Sequence, residues 1–136
     1  MSESAFGSIS VQGLFNTEIQ LTSTVTTTSA SNAVITGLTT TPPAGIYLVQ
    51  FGGWFTHSTG NATITISIFA GGSQNAGSVR TFVPFTGAVG GANNGIEAGT
   101  NAIVTVNGTG AIAAEWLTSA STATIHVANL DIMKIG

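Results

Sequence analysis

Charge is what this sequence has least of. Two basic and five acidic residues (Glu3, Glu18, Arg80, Glu97, Glu115, Asp131 and Lys134) make up 5% of its 136 residues, where an ordinary soluble domain is about 25% charged. With Arg80 and Lys134 as the only cations, nucleic-acid binding is excluded, because phosphate recognition draws on several Lys or Arg side chains. There is no cysteine, so neither disulfides nor thiolate-held zinc can staple the chain. No stretch approaches the ~20 apolar residues that a membrane-spanning helix needs. The start, Met1-Ser-Glu-Ser-Ala-Phe6, lacks the basic region and apolar core of a secretory signal, which predicts synthesis in the cytoplasm without export by that route. Amphipathic helical spacing is missing as well. Disorder is excluded by the opposite excess, 43% hydrophobic residues and a mean hydropathy of +0.43, since disordered chains pair low hydrophobicity with high net charge.

What remains is Thr, Ser, Asn and Gly around β-branched and aromatic residues recurring with period 2. That pattern predicts strands over Phe6–Val11, Glu18–Thr26, Asn32–Thr39, Gly45–His57, Ala62–Phe69, Ser78–Phe85, Gly95–Val106, Ile112–Leu117 and Ala123–Ile135,. Ile64, Ile66 and Ile68 alternate with Thr63, Thr65 and Ser67, the signature of a half-buried antiparallel strand. Ile125 and Val127 are out of phase with Leu130 and Ile132, so a β-bulge is expected near Ala128-Asn129. The run Gly45–Phe55 is apolar on both parities and predicts a strand covered on both sides. Thr22–Ser31 fits an edge strand or an exposed loop, and Gly87–Gly95 a surface loop. Many short strands without helices predict an all-β, two-sheet antiparallel jelly-roll sandwich, formed by residues 17–136 after an N-terminal arm, 1–16.

A turn, then Gly45-x-Tyr47 opening a long apolar strand through Phe51, then Ile64 to Gly72, resembles the middle of complement-q/tumour-necrosis-factor-like jelly rolls. The Gly/Asn-rich strand Gly99–Gly110 and the final alternating strand Thr124–Gly136 extend the resemblance across roughly Asn16 to Gly136. The resemblance implies a homotrimer and, in microbes and their viruses, a place on a virion, a fibre tip or a spore coat. Residues 1–16 carry no Gly-x-y or heptad repeat, so a stalk is not expected. The expectation is therefore a capsid decoration or cement protein of a bacteriophage, contacting the major capsid protein and located on the capsid surface. A receptor- or glycan-binding head of a phage fibre or a spore or cell-surface protein is the alternative, served by Asn93-Asn94 and Trp116. The implied trimer interface is drawn from Tyr47, Phe51, Phe55 and Trp116, and the capsid contact from Phe6, Ile9 and Val11 on the arm.

Catalysis finds little support. Acid–base chemistry needs a tuned pair, and His57, His126, Glu18, Glu97, Glu115 and Asp131 are scattered along the chain. No enzyme activity, cofactor or metal is expected. His57 and His126 read as turn-flanking and outward-facing residues, and Glu115 as an outward neighbour of a core Trp116. Arg80 is a candidate to pair across an interface with Glu97 or Glu115. Asn61-Ala-Thr and Asn107-Gly-Thr match the glycosylation tripeptide, but without a signal peptide they are expected to stay unmodified.

Overall fold

Period-2 patterning becomes ten β-strands in the residues that the computed structural model describes, 16–84 and 95–136. They are β1 (Asn16–Gln20), β2 (Val25–Thr27), β3 (Ala33–Thr40), β4 (Gly45–His57), β5 (Ile64–Ala70), β6 (Ser73–Gln74), β7 (Arg80–Phe82), β8 (Ile96–Val106), β9 (Ile112–Thr118) and β10 (Ala123–Lys134), with one 3-10 turn at Ala76–Ser78. Every pairing is antiparallel. One sheet runs β1-β10-β4-β8, with β2 also on β10; the other runs β3-β9-β5-β6, with β7 also on β5. Successive long strands alternate between the sheets, which makes the molecule a jelly-roll sandwich.

Each sheet turns one parity inward. From β4 come Tyr47, Val49, Phe51 and Phe55, from β10 Ile125, Leu130 and Ile132. They meet Ile64, Ile66 and Ile68 of β5 and Ile112 and Trp116 of β9, all at most 3% exposed. Phe55 centres the aromatic packing, 5.0 Å from Phe82 and 6.4 Å from Trp116 between ring centroids. Polar groups drawn inside are paired, as buried hydrogen-bonding groups must be. Ser78 Oγ accepts from Ile68 N–H at 2.8 Å and donates to Asn75 O at 2.7 Å. Thr100 Oγ1 donates to Ser78 O at 2.6 Å, tying the 3-10 turn to β8 of the other sheet.

Three expectations need correction. Glu18–Thr26 is not one strand: β1 and β2 break at 21–24 and pair successive stretches of β10. The bulge in β10 lies between Ile125 and Val127, so His126 is the extra residue. Val127 consequently faces out, and Ala128 replaces it inward. Finally, β4 is covered by the opposing sheet on one side within this chain; its other parity, Ile46, Leu48, Gln50, Gly52 and Trp54, faces away from the core. The expected strand Phe6–Val11 lies outside the described residues.

Candidate functional site

The outward parity of the β1-β10-β4-β8 sheet concentrates the unusual surface of the molecule. Register orders it in cross-strand rows. At one end Ile135 lies opposite Ile46, held by Ile135 N–H to Ile46 O at 2.7 Å. The next row is Asn16–Met133–Leu48–Ile103, then Glu18–Asp131–Gln50–Asn101, Gln20–Asn129–Gly52–Gly99, and last Val127–Trp54–Glu97. The first two rows are an apolar shelf: Ile46, Ile103, Met133 and Ile135 are all exposed, Ile103 by 61%. Large apolar side chains so close together on a free surface mark an interaction site.

The third row is acidic. Glu18 and Asp131 stand directly opposite each other, where like charges are unfavourable. Gln20 Nε2 donates to Glu18 Oε2 and Asn129 Nδ2 to Asp131 Oδ2, both at 3.0 Å. Asp131 Oδ1 is buried and has no hydrogen-bond partner, alone among the described residues in this. The two carboxylates lie in a cleft of about 330 Å³ with Gln50 and the apolar Leu48 and Met133.

At the far end is a broader groove of about 490 Å³. Its floor is side-chain-free because Gly52 and Gly99 pair there. The glycine at 99 is required, since a Cβ there would come within 2.6 Å of Phe51 O. Trp54, Glu97, Val127 and Asn129 form the walls. Trp54 is braced by His126, 4.6 Å away between centroids, and His126 Nε2 shares a 2.7 Å hydrogen bond with Thr56 Oγ1.

The expected interface residues Tyr47, Phe51, Phe55 and Trp116 do not reach this surface. All are buried within one chain, Tyr47 and Phe55 completely, so the sheet's outer face falls to the other parity of β4. Burial likewise removes Trp116 from a receptor-binding role. Phe6, Ile9, Val11, Asn93 and Asn94 lie outside the described residues.

The remaining polar residues are placed as follows. Arg80 reaches neither Glu97 nor Glu115; its Nη1 donates to Gly77 O and Val79 O. Glu115 is half-buried on the outer face of the second sheet, where burial raises its carboxyl above the ordinary carboxylate range. His57 is half-buried, and burial lowers its ring below the ordinary imidazole value. It hydrogen-bonds Thr118 Oγ1 at 2.7 Å through Nε2 and accepts Thr59 N–H at Nδ1. Asn107 Oδ1 accepts from Thr109 N–H, Thr109 Oγ1 and Gly110 N–H, so that tripeptide builds a turn. Among the described residues, no three His, Cys, Asp or Glu side chains gather as a metal site.

No family model matches the chain, and no curated protein matches it in sequence. Solved structures share its fold. The Eiger TNF of S. frugiperda is similar at TM-score 0.58 and 11% identity, over 90% of this chain and 93% of that one. The VP2 subviral particle of infectious bursal disease virus is similar at TM-score 0.58 and 13% identity, over 92% of this chain but 34% of the VP2 chain. The protein thus spans about a third of that chain and nearly all of the other. The shared fold is a tumour-necrosis-factor-like jelly roll.

Proposed function

We propose that this protein is a non-enzymatic structural component of a virus particle, a homotrimeric jelly roll that decorates and cements the head of a bacteriophage. The apolar shelf Ile46–Leu48–Ile103–Met133 carries the reading. A surface with so little charge and so much exposed aliphatic area is built to be covered. The likeness to a VP2 subviral particle adds that this fold serves in viral shells. In this role the protein works mechanically: trimers seated where capsid subunits meet distribute many modest contacts, whose combined avidity exceeds that of each alone. The test is add-back. Heads lacking the protein should bind it saturably, in multiples of three copies, and withstand heating better once it is bound. Failure of purified particles to contain it, or of bare heads to bind it, overturns the proposal.

A second reading, a glycan- or receptor-binding head, is favoured by the groove beside Trp54. Indole carbon offers a platform for the apolar face of a sugar, and Glu97 and Asn129 offer hydrogen bonds to hydroxyls. Trp54→Ala should then abolish attachment to host cells while leaving particle binding intact. Equal cell attachment by the variant removes this reading.

A further inference from the structure

We infer that copies of this chain join head to tail, with Arg80 of one copy entering the acidic cleft between Glu18 and Asp131 of the next. The inference rests on the homo-oligomeric reading above and supplies the charge contact that such an assembly uses.

The acceptor side is incomplete in the single chain. Glu18 and Asp131 face each other across β1 and β10, and Asp131 Oδ1 is buried without a donor. A buried, unpaired carboxylate oxygen beside a second carboxylate calls for a cation. The cleft also specifies the cation's shape. Leu48 and Met133 give it apolar walls above the carboxylates and the Gln50 amide. That suits a side chain with an aliphatic stem and a planar head that offers several N–H groups, which is arginine.

The chain holds two cations. Lys134 is in register with inward-facing Tyr47, and its methylenes approach Gly45, away from the cleft. Arg80 is exposed. It hydrogen-bonds two carbonyls of its own turn through Nη1 and makes no ion pair among the described residues, so its charge meets no carboxylate there.

Topology then separates donor from acceptor. Arg80 is on β7, an edge strand of its sheet, which the Thr100–Ser78 bond ties to β8. Glu18 is on β1, at the opposite edge of the β1-β10-β4-β8 sheet from β8. A donor on one flank and an acceptor on the other cannot meet within one molecule. Repeated between copies they give a heterologous contact, which forms the ring of the proposed trimer when three such rotations close. The same docking brings the β7–β8 flank of one copy over the apolar shelf of the next.

Sedimentation velocity on the full chain at micromolar concentration tests this. Arg80→Gln and Asp131→Asn, both mild enough to keep the fold, should each weaken association at least about tenfold. Arg80→Glu should leave monomers, and the exchange Arg80→Glu with Asp131→Arg in one chain should restore the oligomer. Melting curves of the variants confirm folding. A monomeric wild type overturns the oligomeric reading itself. A wild-type oligomer unaffected by Arg80→Gln or Asp131→Asn overturns the contact alone. So does dissociation by Glu97→Gln or Glu115→Gln without an effect of Asp131→Asn.

Discussion

His57 shows how one side chain fixes a pH response. Nδ1 accepts Thr59 N–H, so Nε2 carries the proton and donates to Thr118 Oγ1, whose hydroxyl passes on to Ala120 O at 2.8 Å. This relay holds only with a neutral ring, and burial acts in the same direction. Because the folded value lies below the unfolded one of 6.5, His57 contributes nothing above that pH. Below it the unfolded chain takes up the proton first, and stability falls. Melting temperature should therefore drop on acidification from pH 7.5 to 5, and the drop should shrink in His57→Gln; an equal drop in the variant would put the response elsewhere. Glu115 works the other way. Its carboxyl is raised by burial, so the fold loses stability as pH rises from the unfolded value of 4.5 through the folded one,. Glu115→Gln should melt higher than wild type at pH 7 and like it near pH 3. A variant that melts lower at pH 7 would mean that an unseen partner stabilises the charge.

At the level of elements, β4 and β8 show what tight pairing demands. Gly99 leaves room for Phe51 O, so Gly99→Ala should push the strands apart and cost about 1–3 kcal/mol in denaturant titration; a neutral result would mean that the pair shifts freely. Phe51 on the facing strand β4 is 3% exposed, and Phe51→Ala should cost about 3–5 kcal/mol. A loss under about 1 kcal/mol would move Phe51 out of the core. The strand β4 was legible to its ends, Gly45 to His57, because the Pro42-Pro43 turn precedes it and His57-Ser-Thr-Gly follows. Its inner face was not legible. Both parities are apolar, and the choice between them depends on where the β3-β9-β5 sheet lies, a tertiary fact with no local signature. The bulge lies earlier than the apolar phase of β10 suggests for a related reason. Val127 looks like core by composition, yet it packs outward beside Trp54, and small Ala128 takes the inner position. The outer-face rows were hidden still more deeply, since Glu18 meets Asp131 only once β1 pairs with β10.

For the whole molecule the question is which force would hold copies together in the proposed assembly. The outer face of the β1-β10-β4-β8 sheet carries Glu18, Asp131 and Glu97 but also the aliphatic shelf, and these make opposite demands on salt. Exposed ion pairs weaken as the Debye length shrinks to ~3 Å near 1 M, whereas apolar burial does not, and desolvated pairs are screened far less. An assembly resting on the shelf, with Arg80 sealed into the cleft, should therefore sediment unchanged from low salt to 1 M. Ile103 gives the complementary test, because it is 61% exposed in the single chain and contributes little to that chain's own core. Ile103→Asp should disperse the assembly into folded monomers with native strand content. Dissociation by salt alone would mean that charge, not the shelf, dominates the contact. An intact oligomer carrying Asp at position 103 would place the contact on another face, and both the shelf and the cleft beside it would have to be explained by a different partner.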